Sequence, residues 1–376
     1  MKIGIVCYPT FGGSGVIATE LGKALAEKGH EIHFVAYRQP FRLDSFSENI
    51  TFHEVSLADY PLFDFLPYET ALTSKMVSVA IDKKLDLFHV HYAIPHASTA
   101  YMAKQILAAS GHKIKVITTL HGTDITLVGK DASYLPVVTF AINQSDGITA
   151  VSESLKEETY RNFSITKQID VIPNFIDLHR FSKKTKEHFR KAIAPNGEKL
   201  IVHTSNFRKV KRVEDVLHVF KKIHEKIPSK MLLIGDGPDR STLEKMAHES
   251  GMSEDIRFLG KLEAVEEILS VSDLFLLTSE TESFGLASLE AMACQVPVIS
   301  TNTGGSPEVN IHGKTGFLSN VGDCDDMAKN AIYILSDEKR LAEFKANALK
   351  QARKFDIHAI LPLYEQLYTD ILQGRK

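Results

Sequence analysis

The feature that most constrains the fold is the alternation of short apolar runs with segments of helical periodicity along the whole chain. Lys2–Tyr8 is an apolar run, residues 16–28 place apolar side chains at helical spacing, and Glu31–Ala36 is a second apolar run. A strand, a helix and a strand in this order are typical of a βαβ unit. Strands that are apolar along their length indicate a parallel sheet covered by helices on both faces. The sequence therefore predicts an α/β fold.

A polar stretch divides this alternation into two series. Residues 182–199 are rich in Lys, Glu, Pro and Gly, and a second series of strands and helices starts at Leu200. A chain of 376 residues is long enough for about two domains. We predict two Rossmann-like, doubly wound parallel-sheet domains that face a cleft, over residues 1–175 and 176–356. A last amphipathic helix, about 357–376, is free to pack back on the first domain.

Composition and charge exclude several classes of protein. With 44% hydrophobic and 24% charged residues the chain is not a disordered one. A net charge of −3 gives no support to a nucleic-acid partner, and no run approaches the roughly 20 apolar residues needed for stable membrane insertion. The cysteines Cys7, Cys294 and Cys324 lack metal-site spacing, and no signal-peptide pattern precedes the first strand. These features predict a cytoplasmic protein without structural zinc.

The loop after the first strand contains a run of glycines. Doubly wound sheets bind ligands at the carboxyl ends of their strands, so this loop is a candidate site. Residues 12–15 read Gly-Gly-Ser-Gly and lead into a helix, whose first amides can bind an anion. The run matches neither a P-loop nor a dinucleotide fingerprint. A tight turn explains it equally well.

A basic cluster follows the first strand of the second series. Residues 208–212 contain Arg208, Lys209, Lys211 and Arg212, directly before a helix. Positive charge at a helix N-terminus opposes the helix dipole, which favours a bound anion over a solvated basic surface. A diphosphate needs fixed cations of this kind. We predict that Arg208 and Lys211 bind it and that the other two face solvent.

Two glutamates bracket the next candidate segment. Glu282 lies in the loop after a strand, and Glu290 lies about one turn inside the following helix. A carboxylate inside an apolar helix must be paired or must bind a ligand. Gly285 allows close approach of a ligand to the backbone, and the amides of Phe284 and Leu286 are free donors. Helix-capping acids remain the alternative explanation.

The histidines are less specific. His121 ends a predicted strand beside a glycine, where catalytic and structural roles are about equally expected. His89 and His91 alternate on another strand, but no third residue has the spacing of a metal ligand. A metal site is therefore not predicted.

Taken together, these segments resemble the retaining glycosyltransferases of family 4, which have the GT-B fold of two Rossmann-like domains. The resemblance covers nearly the whole chain, and its signature is Glu282-x7-Glu290 with Phe284-Gly285 inside it. Further matching segments are residues 171–177, 234–238, 257–260 and 304–308.

Within that family, residues 8–15, 89–96 and 204–212 resemble enzymes that transfer GlcNAc from UDP-GlcNAc to L-malate, the first step of bacillithiol biosynthesis. The resemblance implies a metal-independent reaction without a cofactor and leaves a homo-oligomer open. One alternative is a lipid or glycan acceptor, which needs an exposed apolar surface. Candidates for that surface are Phe41, Phe46, Phe63, Phe65 and Leu66. Another alternative is a UDP-sugar epimerase or hydrolase.

The resemblance also implies residue roles. The implied catalytic residues are His121, Glu282, Arg208 and Lys211. The residues implied to bind the nucleotide sugar are Gly13, Asn174, Phe258, Phe284, Gly285, Leu286 and Glu290. The predicted acceptor contacts are Ser14, Tyr92, Thr118, Thr119 and Asn206. Many relatives have Gly-Arg where this chain has Ser205-Asn206, which leaves Asn206 to face the acceptor.

Overall fold

The computed structural model describes residues 1–10, 12–43, 47–57, 66–184 and 187–375. Of the residues named above, Phe46, Phe63 and Phe65 lie outside this part of the chain. The chain forms two compact units: unit 1 contains residues 1–174 and 357–376, and unit 2 contains residues 175–356. Among the described residues, no helix combines the length and the apolar character needed to span a bilayer.

Unit 1 is built on a parallel sheet, with elements numbered along the chain. Its strands are β1 (Lys2–Val6), β2 (Glu31–Ala36), β3 (Ile50–Glu54), β4 (Leu87–His91), β5 (Lys115–Leu120), β6 (Gly147–Ala150) and β7 (Asp170–Val171). Its helices are α1 (Gly13–Glu27), α2 (Tyr68–Lys83), α3 (Ser98–Ala109), α4 (Leu135–Gln144), α5 (Glu153–Asn162) and α14 (Ile357–Leu372). The strand order is β3-β2-β1-β4-β5-β6-β7, and all pairs are parallel. The predicted doubly wound fold is confirmed for this unit.

The start of α1 differs from the expectation. The glycine run was expected to form a loop before a helix near Val16, but α1 begins at Gly13. A Cβ at Gly15 would lie 2.6 Å from the carbonyl oxygens of Tyr8 and Thr10. Gly15 therefore lets the first helical turn pack directly on the chain that leaves β1, and the free amides of the helix lie close to the strand end.

The last helix is anchored in unit 1 by polar contacts. Tyr368 of α14 is fully buried, and its hydroxyl lies 2.7 Å from His89 Nδ1 in β4. Near the other end of the sheet, His30 Nε2 lies 2.9 Å from a carboxylate oxygen of Glu365. These two contacts and the apolar face of α14 together fix the helix on the sheet.

Unit 2 repeats the architecture. Its strands are β8 (Lys199–Thr204), β9 (Ser229–Ile234), β10 (Ile256–Gly260), β11 (Leu274–Leu277), β12 (Val298–Thr301) and β13 (Gly316–Ser319). Its helices are α6 (Glu187–Ile193), α7 (Val213–His224), α8 (Arg240–Glu249), α9 (Val265–Leu269), α10 (Leu286–Ala293), α11 (Ser306–Val309), α12 (Cys324–Leu335) and α13 (Glu338–Ala352). The parallel order β10-β9-β8-β11-β12-β13 matches the first six strands of unit 1 position by position.

The polar stretch at 182–199 lies inside unit 2 and contains α6, so the units divide before it, after Asn174. Arg190 of α6 explains its polarity, because its guanidinium donates to a carboxylate oxygen of Asp273 at 2.6 Å. That carboxylate also accepts from the amide of Leu200 at 3.0 Å, which ties α6 to the start of β8.

Candidate active site

Each unit has a topological switch point, where the strand order reverses. In unit 1 it lies between β1 and β4, and in unit 2 between β8 and β11. At such a point the connections leave the two strands in opposite directions, which opens a crevice at the carboxyl edge of the sheet. The residues that follow these four strands are therefore the candidate ligand contacts of each unit.

At the switch point of unit 2, a lysine and a glutamate form an ion pair. Lys211 follows β8 and Glu282 follows β11, and Lys211 Nζ lies 2.8 Å from Glu282 Oε2. Both side chains are half-buried, whereas Arg208 at the start of the same turn is exposed. The structure thus brings together two of the predicted catalytic residues, and a third lies on the adjacent surface. The pair is neutral as a whole, so an anionic ligand must compete with the carboxylate for the lysine.

The chain from β8 to α7 is fixed on one side by hydrogen bonds to the chain after β11. Thr278 donates through Oγ1 to the carbonyl oxygens of Lys211 and Arg212, both at 2.9 Å. The amide of Glu280 donates to the carbonyl of Val210 at 2.8 Å. The cationic turn is therefore held by main-chain contacts and does not depend on its own charged side chains for its shape.

On its other side, this chain packs on two glycines. A Cβ at Gly235 would lie 1.7 Å from the carbonyl oxygen of Ser205, and one at Gly237 would lie 2.0 Å from that of Asn206. Any larger residue would displace the turn. The Gly-Asp-Gly sequence after β9 therefore leaves room for the chain that leads from β8 to the basic turn. Asn206 itself is exposed at the end of β8.

Helix α10 presents its first amides at the same edge of the sheet. Gly285 is its N-cap with φ +93°, a left-handed conformation that favours glycine. The amide of Leu289 makes an intrahelical bond to Gly285 at 3.1 Å, so the amides from Leu286 to Ser288 precede the intrahelical ladder. Phe284 is buried, and Glu290 is half-buried within α10. Free amides and a carboxylate are thus presented together.

The loop after β12 supports the backbone of Glu282. The amide of Gly305 donates to the carbonyl of Glu282 at 2.8 Å. A Cβ at Gly304, which has φ +57°, would lie only 1.9 Å from the same carbonyl oxygen. The Gly-Gly pair therefore supports the main chain at Glu282.

At the switch point of unit 1, the side chains are neutral. The hydroxyl of Tyr92, after β4, donates to Ser14 Oγ in the first turn of α1 at 2.8 Å. Gly13 is exposed at the first position of that helix. Two predicted acceptor contacts therefore lie together beside free helix amides.

His121 lies beside this pair and is hydrogen-bonded to a second histidine. His121 Nε2 and His91 Nδ1 are 2.8 Å apart, and the rings of His121 and Tyr92 lie 5.3 Å apart. Burial, together with the nearby His96, lowers the pKa of His121 to about 3. His121 is therefore a neutral imidazole at physiological pH, suited to hydrogen bonding and not to charge neutralisation.

The structure buries two of the predicted acceptor contacts in unit 1. Thr118 and Thr119 are both fully buried in β5. The Thr118 hydroxyl lies 2.7 Å from that of Ser145, and the Thr119 hydroxyl lies 2.7 Å from both Thr149 Oγ1 and His89 Nε2. Both hydroxyls are therefore engaged in hydrogen bonds within the core.

Phe258 and Asn174 were also predicted to bind the nucleotide sugar. Phe258 is the third residue of β10 and packs against the hydrophobic core of unit 2, so the structure does not bring it to a strand end. Asn174, the last residue of unit 1 before the division, is buried, and its side-chain oxygen has no hydrogen-bond partner among the described residues. Such an atom is a candidate for ligand contact.

Sequence reasoning missed the role of His91, which was considered only as a metal ligand. The signal was present in the pattern. In the sheet His91 stands beside Thr119, so a side chain at the end of β4 must lie near the residues that follow β5. The hydrogen bond to His121 follows from that register.

One group of side chains in unit 2 has metal-ligand chemistry. Ligand atoms of Asp215, His218 and Cys324 lie within 4.8 Å of one another. However, Arg212 Nε donates to Asp215 Oδ2 at 2.6 Å, and burial raises the pKa of the Cys324 thiol to about 11. A metal would have to displace both the arginine and the thiol proton, so this group carries no functional assignment.

Comparisons with known proteins agree with this architecture. The family model for “Glycosyltransferase Family 4” matches residues 11–180, and that for “Glycosyl transferases group 1” matches residues 184–351. An N-acetyl-alpha-D-glucosaminyl L-malate synthase from Bacillus anthracis is 48% identical over 382 residues, covering 100% of this chain and 98% of the relative.

Solved structures with the same fold include one with a bound nucleotide. Anabaena HepE in complex with UDP and glucose superposes with a TM-score of 0.83 at 19% identity, covering 98% of this chain and 99% of that one. A sucrose-phosphate synthase from Thermosynechococcus elongatus gives a TM-score of 0.82 at 19% identity, with both chains covered in full. At this identity the likeness establishes the fold, and the predicted GT-B class is confirmed.

Proposed function

Since the chain belongs to Glycosyltransferase Family 4, we propose that it transfers GlcNAc from UDP-GlcNAc to the hydroxyl of L-malate with retention of configuration, as the first step of bacillithiol biosynthesis. The observation that carries this proposal is the full-length similarity to the B. anthracis synthase, which extends over both units. The three free cysteines fit the cytoplasmic location that we propose.

The basic turn of unit 2 is the proposed binding site for the donor diphosphate. Arg208 is exposed there, and Lys211 is held 2.8 Å from Glu282 by a fixed backbone. A diphosphate carries more charge than one carboxylate, so it can take over the lysine on binding. Glu282 is then released to accept hydrogen bonds from sugar hydroxyls. Ligand binding would thus complete the site by exchanging partners within an existing ion pair.

The start of α10 is the proposed site for the rest of the donor. Its free amides, from Leu286 to Ser288, suit hydrogen bonds to sugar or phosphate oxygens. Gly285 has no side chain and therefore allows those oxygens to approach the backbone. Glu290 lies one turn further along and suits the vicinal hydroxyls of ribose. Hydrogen bonds from two ribose hydroxyls would offset part of the free-energy cost of burying this carboxylate.

The chemistry requires no protein base in this scheme. The bond between the anomeric carbon and the UDP oxygen breaks, and the malate hydroxyl forms the new bond on the same face. The malate proton passes to the departing phosphate oxygen. Arg208 and Lys211 stabilise the charge that develops on that phosphate, so the proposed reaction uses neither a metal nor a cofactor. Neutral His121 contributes a hydrogen bond near the reacting face, and we propose acceptor contacts from Ser14, Tyr92 and Asn206.

The test is a measurement of UDP release from UDP-GlcNAc with and without L-malate, with product mass determined in parallel. We expect release that depends on malate, a product of the mass of GlcNAc-malate, and an α-anomeric signal in early NMR spectra. UDP release without acceptor would indicate a hydrolase or an epimerase instead. Product formed only with a phosphatidylinositol or glycan acceptor would indicate the lipid or glycan alternative.

A further inference from the structure

Asp124 is a buried carboxylate that connects two loops of unit 1. It lies three residues beyond His121 and is only 3% exposed. Its Oδ2 accepts a hydrogen bond from the amide of Ala93 at 2.8 Å, and its Oδ1 accepts one from the amide of Gly122 at 3.1 Å. One donor belongs to the loop after β4 and the other to the loop after β5.

Both of these amides adjoin residues of the candidate site. Ala93 directly follows Tyr92, and Gly122 directly follows His121. The backbone is unusual at Tyr92, which has φ +89°, whereas Gly122 has φ +118°, a conformation open to glycine. A non-glycine residue at positive φ is unfavourable and persists only where surrounding contacts impose it. The carboxylate of Asp124 supplies such a contact for the Tyr92 loop.

Retaining a carboxylate here is costly for stability. Within the described part of the chain no lysine or arginine forms an ion pair with Asp124, and burial raises its pKa to about 6, although its amide donors act against this. A neutral asparagine would avoid the charge, but it offers one acceptor atom where two amides need one each. Two acceptors from one short side chain are what the two loops require.

The backbone of Asp124 is itself fixed. A Cβ at Gly129 would lie 1.9 Å from the carbonyl oxygen of Asp124, so the following chain packs directly against it. The main chain that carries the carboxylate is therefore closely packed. The ring centroids of Tyr92 and His121, on the two loops that Asp124 connects, lie 5.3 Å apart.

We propose that Asp124 is a positioning residue for the acceptor side of the transferase, because Oδ2 binds the loop that carries Tyr92 while Oδ1 orients the carboxylate within the loop that carries His121. The inference rests on the function proposed above and assigns this carboxylate no contact with substrate. A shift of about 1 Å at a reaction centre can cost on the order of 100-fold in rate.

The test compares two variants at Asp124 with a matched control. D124N keeps one acceptor and turns an NH₂ group toward the second amide, and D124A removes both acceptors. The control is D146N. Asp146 also accepts a backbone amide, from Val116 at 2.8 Å, but it lies before β6 at the opposite edge of the same sheet. D146N likewise replaces one carboxylate oxygen of unit 1 by an NH₂ group, and it also weakens the ion pairs of Asp146 with Lys104 and Lys115.

The measured quantities are kcat, KM for each substrate, and the affinity for UDP by calorimetry. We expect D124N to lower kcat/KM for malate about 10- to 100-fold, D124A to lower it further, and UDP affinity to stay within twofold of wild type. D146N should keep wild-type kcat and KM at a temperature where it is folded. Unchanged malate kinetics in D124N, equal losses in D124N and D146N, or failure of both Asp124 variants to fold would overturn the positioning role. A wild-type protein that forms no product with malate would instead overturn the proposed function.

Discussion

Unit 1 buries several histidines, and this predicts that it loses stability in mild acid. Burial lowers the pKa of His89 and of His121 to about 3 and that of His96 to about 4. The unfolded chain binds a proton at each histidine near pH 6.5, whereas the folded chain does not until the pH falls much further. The stability that each neutral imidazole contributes is therefore complete above pH 6.5 and is lost as the pH falls toward its folded pKa.

The size of the effect follows from proton linkage. For one histidine with these two pKa values, lowering the pH from 7 to 5 costs about 2 kcal/mol of unfolding free energy. Asp124 acts in the opposite direction, because its raised pKa of about 6 lets the folded state take up a proton over the same interval. That uptake returns about 1 kcal/mol. The histidines outweigh it, so unit 1 should be less stable at pH 5.

His89 gives the sharpest single test. It is fully buried, and its two ring nitrogens are each 2.7 Å from a hydroxyl, of Tyr368 and of Thr119. When the pH falls from 7 to 5, the H89Q variant should lose about 2 kcal/mol less unfolding free energy than wild type does. This difference does not depend on the stability of the variant at pH 7. H112Q is the control, because His112 is exposed on the same unit.

Hydrogen exchange of peptides that cover β4, corrected for intrinsic exchange rates, measures the opening free energy of unit 1 at both pH values without interference from unit 2. Wild type and H112Q should show the same loss of opening free energy between pH 7 and pH 5. If H89Q lost as much stability as wild type, the protonation of His89 would not be suppressed by burial, and the linkage argument would fail.

Three further predictions concern unit 2. R208A should raise the activation barrier at saturating donor by about 2–4 kcal/mol, which appears as a lower kcat for UDP release. K209A, at an exposed neighbouring position, should keep the wild-type kcat. E282Q should lower kcat but bind UDP at least as tightly in calorimetry, because the paired lysine is no longer neutralised; weaker UDP binding would contradict the ion-pair exchange. G304A should destabilise unit 2 by at least about 1 kcal/mol more than G251A in urea unfolding, since both glycines have positive φ but only Gly304 lies against a backbone oxygen.

The fold was predictable because its central strands are apolar and its helices are periodic. The edge strand β3 does not show this pattern. Ile50–Glu54 reads Ile-Thr-Phe-His-Glu and is only partly buried, so β3 lacks the continuous apolar run that identified the inner strands. The position of α14 was also open, because an amphipathic face fits either sheet. The buried hydrogen bond between Tyr368 and His89 decides it, and pattern alone does not reveal a contact across 279 residues.

The candidate site was predictable to the level of loops and not of side chains. Lys211 and Glu282 were chosen because parallel strands end at one edge of a sheet, and the structure places them in contact. Thr118 and Thr119 were predicted as acceptor contacts, and the structure places both inside β5 with buried side chains. The pattern of apolar residues predicts where a strand ends. Whether a side chain near that end is exposed depends on the helices that pack on the sheet, and these belong to distant parts of the sequence.

The two units share one strand order but carry different chemistry at their switch points. In unit 2 the residues after β8 and β11 include the Lys211–Glu282 ion pair and the exposed Arg208, and the proposed diphosphate takes the lysine over from the glutamate. In unit 1 the corresponding residues are hydroxyls and imidazoles, with the imidazole pKa values lowered by burial. A neutral network gives direction through hydrogen bonds but little attraction for ions. Substitutions in unit 2 should therefore act on stabilisation of the leaving group and on kcat, whereas displacement of the neutral network by D124N should act on the use of the acceptor.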